Sequence, residues 1–430
     1  MPTRRDVVRT LIGAGAALPL LNRSAFAAVR EANIVASHKT PLQLADDEDF
    51  WGPIQRAFDV DRTLINLNNG GVSPAPQSVI DQLVRDIRFT NEIPTIHNWQ
   101  ILEPRMEATR IDLAKAFGCD PEEMAVVRNA SEANEIMTLG LDLKAGDEVI
   151  VTNQNYGRMT TTWQQRERRE GIVLKQISFK VPPPSDQYIV DRFAEAITPR
   201  TKVIEVTHIT NLTGQIMPVR DIVRLARPKG IEVFVDGAHA FAHFPFMRDD
   251  LECDFYGTSL HKWLHAPIGT GFLYVRREKI EKLWSMMGSA ATQVKDIRKY
   301  QEIGTHPQAN FNAISTALSF HHQLGPERKI ARLRWLRDYW AALLLKESPR
   351  VKVPTPRGTG VGGAIALVSV DGLDPAKLSS WLYDKQRIIT TVIVHPEFSG
   401  LRITPSVYTQ RQELDRFVEG MTRAIRSGLN

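Results

Sequence analysis

The middle of the chain alternates short runs of β-branched and apolar residues with longer stretches of helical periodicity. Seven short runs predict strands: Met124–Val127, Glu148–Thr152, Val173–Ile177, Val203–Thr207, Val233–Val235, Phe255–Gly257 and Gly271–Val275. Four intervening stretches predict helices: Glu132–Leu141, Met159–Glu170, Val190–Ala196 and Val219–Pro228. Strands separated by helices indicate an α/β fold with a mostly parallel seven-stranded sheet in a large domain. Ligands of such sheets bind at the carboxyl ends of the strands.

The pattern changes near residue 323. A long helical stretch, Pro326–Glu347, precedes the short strand patterns "GAIALVSV" and "GLRITPS". A last helix is predicted to begin near Thr409, because Thr409 and Gln412 have capping-box spacing. We therefore predict a large domain over residues 76–322 and a smaller α+β domain over residues 323–430. Residues 28–75 are predicted to form an N-terminal segment that packs on the small domain.

The first residues have the pattern of an export signal. Arg4-Arg5 precedes an apolar run near residues 11–21, and Ala25-Phe26-Ala27 follows as a small-residue cleavage site. The run is too short to span a bilayer comfortably, and the arginine pair resembles the twin-arginine type. We predict a twin-arginine signal peptide over residues 1–27, export by the twin-arginine machinery to the periplasm, and no stable membrane span. The alternative is an amphipathic helix that the mature protein keeps.

Composition agrees with a large soluble enzyme, since the chain has 430 residues and 43% hydrophobic content. The formal net charge is +5, and four arginines against one aspartate in residues 1–27 contribute +3 of it. No long basic run follows, so the charge does not favour nucleic acid as a partner. The two cysteines, Cys119 and Cys253, form no CxxC motif, which disfavours a disulfide framework or a metal site. We predict two free thiols, with one disulfide as the alternative.

The stretch "IEVFVDGAHA" places a carboxylate at the end of a buried strand. Asp236 directly follows residues 231–235, which have the pattern of a buried strand. A buried carboxylate is costly unless it meets a cation or several donors. Asp236 is therefore a candidate partner for a positively charged ligand nitrogen, and the alternative is a turn aspartate that caps the next loop.

The stretch "SLHKWLHAPIGTGFLYV" places one lysine between apolar runs. Lys262 follows the strand predicted at Phe255–Gly257, so it is expected near the same sheet edge as Asp236. Taken alone, Lys262 could be a surface lysine whose stem packs on apolar neighbours. As a pair, a buried lysine and an aspartate fit a Schiff-base amine with a pyridinium partner.

The stretch "MAVVRNASEANE" predicts a strand, a short loop and a helix. Asn129 and Glu132 have capping-box spacing. The free N–H groups of Ala130, Ser131 and Glu132 at a helix N-terminus form an anion site. Any strand–loop–helix unit has this property in part. Assigning this anion site to a cofactor phosphate therefore depends on the neighbouring motifs.

Together these segments resemble the class V aminotransferase family of pyridoxal 5′-phosphate (PLP) enzymes, which have fold type I, and within it the branch that includes isopenicillin N epimerase. The resemblance covers residues 64–425. The motifs that carry it are "LNNGG", "NASEANE", "VDGAHA", "THITNLTGQIMPV", "SLHKWLHAPIGTGFLYVR", "EIGTH" and "GLRITPS".

The resemblance implies a role for each matching position around the PLP ring. Lys262 resembles the lysine that forms the Schiff base, and Asp236 resembles the partner of the pyridine nitrogen. His239 and Asn211 are implied near the phenolic oxygen. Tyr156 resembles the aromatic residue that stacks on the ring.

The resemblance also implies phosphate and substrate contacts. The residues implied at the phosphate are Ala130, Ser131, Ser259 and His261. Thr305 would reach the phosphate of the neighbouring subunit, because family active sites lie at a homodimer interface. Arg402 resembles the arginine that binds the substrate carboxylate. Asn69, His97 and Trp99 are either pocket or structural residues, and Asn69 is the one taken as a substrate-binding candidate.

Transamination, epimerisation and elimination begin with the same steps, so these residues do not indicate which of the three reactions the protein catalyses. We predict aminotransferase-type chemistry in the periplasm on an amino-acid-type substrate, as in tailoring of a siderophore or peptide metabolite. The alternatives are an isopenicillin N epimerase-like epimerase and a cysteine-independent β-lyase. No cysteine follows Lys262, which disfavours a persulfide mechanism. His306 replaces the arginine that many members have after the glycine-threonine pair, so its role stays open.

Other classes of protein fit the sequence less well. No GxGxxG motif follows a predicted strand and no GxSxG motif occurs, which disfavours a dinucleotide oxidoreductase and a serine hydrolase. A non-catalytic exported binding protein would be expected to lose Lys262 or Asp236, and the chain has both.

Overall fold

The computed structural model describes residues 25–36, 38–357 and 362–429. The predicted signal peptide lies outside the described residues, except that Ala25-Phe26-Ala27 begins helix α1 (Ala25–Val35). The buried face of α1 packs in a hydrophobic cluster with Phe50 and Trp51. No described helix is long and apolar enough to cross a membrane.

A seven-stranded sheet forms the centre of the large domain. Its strands are β2 (Met124–Val127), β3 (Glu148–Thr152), β4 (Val173–Ile177), β5 (Thr201–Thr207), β6 (Glu232–Asp236), β7 (Phe255–Ser259) and β8 (Gly271–Val275). Their order is β2-β8-β7-β6-β5-β3-β4, and β8 alone runs antiparallel to its neighbours. The prediction of a mostly parallel seven-stranded α/β sheet is confirmed.

Helices cover both faces of this sheet and extend into the rest of the chain. Before the sheet lie α1, α2 (Pro41–Leu44), α3 (Glu48–Arg56), α4 (Gln77–Glu92), α5 (Pro94–Ile96) and α6 (Glu103–Phe117). Between and after its strands lie α7 (Ala130–Gly140), α8 (Gly157–Glu170), α9 (Asp186–Ala196), α10 (Val219–Ala226), α11 (Arg248–Leu251), α12 (Arg277–Ile280) and α13 (Gln308–Leu324). A π-helix covers His97–Leu102, and 3-10 turns cover Pro121–Glu123, Arg227–Lys229, Ala291–Gln293 and Ile297–Tyr300.

A second hydrophobic core lies towards the C-terminus. Its helices are α14 (Pro326–Glu347), α15 (Pro375–Gln386) and α16 (Arg411–Ser427). Its strands are β9 (Val351–Lys352), β10 (Ala366–Val370), β11 (Ile388–Ile389), β12 (Thr391–Val394) and β13 (Ser399–Ile403), and β12-β13-β10-β9 form one antiparallel sheet. Strand β1 (Ile65–Asn66) pairs parallel with β11, so the N-terminal segment contacts this core.

Helix starts are where the structure departs most from the sequence-based boundaries. Helix α7 begins at Ala130 rather than Glu132, because the Asn129 side chain accepts the N–H of Glu132 at 2.9 Å and caps the helix. The Glu132 carboxylate instead accepts the N–H of Arg128 at 2.6 Å, so the capping box is only half formed. Ser185 caps α9 in the same way, so this helix begins at Asp186, four residues before the predicted start at Val190.

The predicted cap of the last helix was wrong. Helix α16 begins at Arg411, and the Glu413 carboxylate accepts the N–H of Gln410 at 2.7 Å. Thr409 belongs to the preceding turn, where its Oγ1 accepts the N–H of Ser406 at 2.9 Å. Two overlapping S/T/Q-x-x-E/Q patterns occur here, and the turn before the helix decides which one is used.

Candidate active site

A cavity of about 310 Å³ lies where β5, β6 and β7 end, between the N-terminus of α7 and strand β13. It contains all of the predicted site residues except Asn69 and Thr305: Ala130, Ser131, Tyr156, Asn211, Asp236, His239, Ser259, His261, Lys262 and Arg402. Parallel strands place their carboxyl ends at one sheet edge, which is why residues so far apart in sequence meet there.

Asp236 ends strand β6 and is buried. Burial raises the pKa of the Asp236 carboxyl, because an ionised carboxylate loses its hydration there. The N–H of Ala238, 3.0 Å from Oδ1, and the charge of Lys262 act in the opposite direction and favour the ionised form. Asp236 is therefore a carboxylate whose charge depends on a cation in the cavity.

Lys262 lies in the connection between β7 and β8, opposite Asp236. Burial lowers the pKa of the Lys262 amine to about 8, although the Asp236 carboxylate opposes this shift. Its Nζ lies 3.2 Å from Nε2 of His239, whose own pKa is well below its usual range because of burial. The amine therefore exchanges between neutral and charged forms near neutral pH and has a neutral imidazole beside it.

The other end of the cavity is built for an anion. The N-terminus of α7 presents the N–H groups of Ala130 and Ser131, and the Ala130 N–H donates to Ser259 Oγ at 2.9 Å. His261 follows Ser259 by two residues, and burial lowers its pKa to about 4, so the ring is neutral at physiological pH. Backbone donors, a hydroxyl and an imidazole thus converge on one end of the cavity.

Arg402 enters the cavity from strand β13 of the C-terminal core. Its guanidinium donates to the Asn211 carbonyl at 3.1 Å and to Asn68 Oδ1 at 2.9 Å, which fixes its direction. Burial lowers the pKa of Arg402 to about 10, so the group remains a cation at neutral pH. Tyr156, which precedes α8 and is partly exposed, lies on the same cavity.

Curated relatives share this chain's sequence over nearly their whole length. Isopenicillin N epimerase of Streptomyces clavuligerus is 30% identical over 390 residues, which cover 86% of this chain and 97% of that protein. A probable cysteine desulfurase of Synechocystis sp. is 27% identical over 391 residues, which cover 84% of this chain and 91% of that protein.

Solved structures share the fold. The chain superposes on the lyase C-DES with glycine covalently linked to its PLP cofactor with a TM-score of 0.77 at 20% identity, over 86% of this chain and 98% of that one. A cysteine desulfurase of Escherichia coli gives a TM-score of 0.76 at 20% identity, over 87% and 98% of the two chains. These similarities show the PLP-dependent fold type I.

The sequence profile described as aminotransferase class-V matches residues 65–417. The chain belongs to the class-V aminotransferase family. It is therefore a PLP-dependent enzyme, as the resemblance predicted. The family includes relatives named as epimerases and as desulfurases, so membership leaves the reaction type open.

The cavity of this class-V protein fits PLP. Several of its buried polar atoms have no hydrogen-bond partner within the described residues: Asn134 Oδ1, Thr207 Oγ1, Asn211 Oδ1, His261 Nδ1 and Arg402 Nε. Buried polar atoms normally have partners, so this set indicates a polar group in the cavity. The α7 end would hold the phosphate of PLP, and Asp236 would hold its ring nitrogen.

Asn134 and Thr207 are cavity residues that the sequence analysis missed. Asn134 lies one helical turn after Ala130, on the same face of α7, and this spacing could have revealed it. Thr207 ends strand β5 and is paired with Asp236 in the sheet, which required the strand order.

The structure corrects the assignment of Asn69 to the substrate. Its side chain is buried, its Nδ2 donates to the carbonyls of Asn66 and Thr404, both at 2.9 Å, and its Oδ1 accepts the Tyr408 hydroxyl at 2.6 Å. All of its polar groups are thus used to join the N-terminal segment to the C-terminal core. The following residues, Gly70 and Gly71, line the cavity instead.

Thr305 lies apart from Lys262, on a second cavity of about 720 Å³ that also contains Trp99 and His306. Its contact with the phosphate of a neighbouring subunit stays a prediction. His97 stacks on Phe89 with ring centroids 3.7 Å apart, and its Nδ1 lies 2.5 Å from the Phe89 carbonyl. His97 therefore has a structural role within its own segment.

Proposed function

We propose that this class-V protein acts on an amino-group substrate that carries a carboxylate, by aminotransferase-type chemistry at Lys262. The observation that carries the proposal is that one cavity is lined by Asp236 from the end of β6, Lys262 from the β7–β8 connection and Arg402 from β13. PLP supplies, when bound, the electron sink that weakens the bonds at the substrate Cα.

Asp236, Lys262 and His239 are proposed to have separate roles in the reaction. Asp236, whose ionised form a nearby cation favours, would hold the ring nitrogen of PLP in the protonated form. Lys262, with a pKa of about 8, can accept a proton as a neutral amine and return it as an ammonium. His239, 3.2 Å away, orients the amine through its imidazole.

Arg402 is proposed to bind the substrate carboxylate. Its contacts with Asn211 and Asn68 hold the guanidinium plane, while its Nε has no partner among the described residues. A guanidinium pairs with a carboxylate through two parallel hydrogen bonds, which orients the substrate as well as binding it.

Epimerisation is the second candidate, and a specific finding favours it. Two of the similar curated relatives are named isopenicillin N epimerase, at 30% and 27% identity. Epimerisation needs the same first proton transfer, and differs in returning the proton to Cα. Nζ of Lys262 and Nε2 of His239 lie 3.2 Å apart, close enough to exchange a proton with each other.

The persulfide chemistry of cysteine desulfurases is not proposed. Burial raises the pKa of the Cys253 thiol to about 12 and raises that of Cys119 as well, so neither forms the reactive thiolate. Neither cysteine lines the cavity, and the sequence contains no other. Elimination without a cysteine nucleophile stays an alternative.

We also propose a homodimer with shared active sites. Ile80, Val84 and Ile87 lie on the exposed face of α4 at helical spacing, and Trp99, also exposed, lines the cavity that contains Thr305. An exposed apolar helix face supports a protein partner. A second copy on this surface would bring Thr305 towards the other active site.

The compartment and pathway form the last part of the proposal. The arginine pair and the apolar run before Ala28 support export in the folded state, which suits an enzyme that binds its cofactor during folding. We propose a siderophore or peptide metabolite as the substrate class, by analogy with exported members of the family and not from any residue of the site. Fusion of residues 1–27 to a folded reporter tests the export step, and a reporter that stays in the cytoplasm contradicts it.

Incubation of the PLP-loaded protein with a panel of amino acids, following the cofactor spectrum and the products, tests the reaction. Conversion of bound PLP to its pyridoxamine form is the result expected for transamination. Exchange of the Cα hydrogen with solvent deuterium without that conversion identifies epimerisation instead. The Lys262→Ala variant is the control, and a wild-type protein that acquires no visible absorption band with PLP contradicts the proposal.

A further inference from the structure

The peptide groups on both sides of Lys262 are held from outside the β7–β8 connection. The carbonyl of His261 accepts the backbone N–H of Ser73 at 3.1 Å. The carbonyl of Trp263 accepts a hydrogen bond from Nζ of Lys329. The first contact comes from the N-terminal segment and the second from α14, so two distant parts of the chain fix the backbone around the cofactor lysine.

Lys329 is unusual among the lysines of the described residues. It is 1% exposed, and burial lowers its pKa to about 7, with no described acid near enough to oppose this shift. No described carboxylate forms an ion pair with it, whereas the buried Arg332 on the same helix pairs with Glu48. A buried lysine without an acid is costly, so its position needs a reason other than stability.

The turn that Lys329 holds is otherwise tightly restrained. His265 has a positive φ of 62°, a conformation that a residue with a side chain adopts only when its surroundings impose it. Its Nδ1 lies 3.1 Å from Ser73 Oγ. Trp263 stacks on His243 with ring centroids 3.6 Å apart, and its Nε1 lies 3.4 Å from His239 Nδ1. The Trp263 peptide is thus the point where these restraints meet.

Helix α14 carries Lys329 near its start and contributes Leu336 and Trp340 to the C-terminal core. The contact with Trp263 therefore joins that core to the residue after Lys262. Strand β13 of the same core carries Arg402, so one rigid unit reaches the cavity both through the arginine and through the lysine turn.

We propose that Lys329 is a positioning residue that fixes the direction of the Lys262 side chain by holding the Trp263 carbonyl. This inference rests on the proposed role of Lys262 in binding PLP. When the backbone fixes the Lys262 side chain, no further entropy is lost in ordering that side chain as PLP binds. Loss of the bond from Lys329 to the Trp263 carbonyl should therefore weaken PLP binding and leave the fold intact.

The Lys329→Met variant tests this, because methionine fills a similar volume and removes the donor. We expect the apoprotein to unfold at the same or a higher temperature, since a costly buried amine is lost. We expect its Kd for PLP to rise about tenfold, because the Lys262 side chain must then be ordered when the cofactor binds. In the apoprotein, the rate of reductive methylation of Lys262, measured by mass spectrometry, should change as well.

Lys299→Met is the matched control. Lys299 is also buried and donates to two backbone carbonyls, those of Ile280 at 2.6 Å and Val294 at 3.0 Å, but neither of these residues adjoins Lys262 in the chain. We expect it to leave both PLP affinity and Lys262 methylation unchanged.

Three results would overturn the inference. The first is a Lys329→Met protein that binds PLP as tightly as wild type does. The second is a Lys329→Met protein that does not fold, or that loses both thermal stability and PLP affinity. The third is a Lys299→Met protein that loses as much PLP affinity as Lys329→Met does. A wild-type protein that does not bind PLP overturns the proposed function and the inference with it, whereas a variant equal to a PLP-binding wild type overturns the inference alone.

Discussion

Replacing Gly271 with alanine tests how closely the anion end of the cavity is packed. Gly271 begins β8 and is paired with Val127 at the end of β2 and with Ser259 at the end of β7. It therefore lies between the two segments that carry the proposed phosphate contacts. A Cβ added here would lie 2.5 Å from the Thr258 carbonyl oxygen and 2.7 Å from the Asn129 Cα.

The size of the effect follows from those distances. Carbon atoms pack best at about 3.5–4.0 Å, so the Asn129 backbone must move by about 1 Å. The Thr258 carbonyl and the Asn129 Cα are both backbone atoms, the first in strand β7 and the second at the cap of α7, so neither moves easily. Overpacking of this kind costs about 1–3 kcal/mol of folding free energy. Because Asn129 caps α7, the N–H groups of Ala130 and Ser131 move with it.

The assay measures thermal unfolding of the apoprotein and the Kd for PLP by titration. Loss of one good contact to a charged phosphate predicts a Kd about 10- to 100-fold higher, in addition to the lower stability. Gly288→Ala is the control, since a Cβ there meets no atom within 4 Å and Gly288 does not line the cavity. If Gly271→Ala matches Gly288→Ala in both stability and PLP affinity, the reasoning about close packing at Asn129 is wrong.

Other predictions test single groups. The rate at which the apoprotein captures PLP should rise with pH through about 8, because only the neutral Lys262 amine attacks the aldehyde, and stopped-flow absorbance measures it. Arg402→Ala should raise KM for a carboxylate substrate about 10-fold or more and leave PLP affinity within about twofold, which initial rates and titration separate. Replacing Cys119 and Cys253 by serine should leave the specific activity of the folded enzyme unchanged, and its loss would revive a thiol mechanism. Thr305→Ala should weaken PLP binding, because in the proposed dimer Thr305 contributes to the active site of the other subunit. A protein that is a monomer in analytical ultracentrifugation contradicts this shared site.

The anion end of the site shows what local sequence could predict. A strand, an Asn129 cap and a helix gave the position of Ala130 and Ser131 correctly, because a cap and its helix lie within a few residues of each other. The helix start was nevertheless placed two residues late, since the Asn129 side chain begins the helix before its apolar periodicity does. The last helix failed for a similar reason, because a turn at Ser406 engaged Thr409 first.

Asn69 shows where motif matching alone was insufficient. Its motif was recognised, but the side chain turns to Asn66, Thr404 and Tyr408, two of which lie more than 330 residues away. Thr207 was missed because its place beside Asp236 depends on β5 and β6 being neighbours. Contacts between such distant segments are decided by packing, which a local pattern does not contain.

The sequence by itself determined the α/β class, most strand positions, the family, the cofactor and the pairing of Asp236 with Lys262. Burial patterns and strand ends are local properties, and a polar residue at a strand end stands out against apolar neighbours. The family resemblance had implied Arg402 at the site, but only the tertiary structure decided which contacts hold it and that Lys329, from the same C-terminal core, bonds the residue after Lys262. Their positions follow from how two hydrophobic cores pack together, and a buried lysine bonded to one carbonyl has no signature in the sequence.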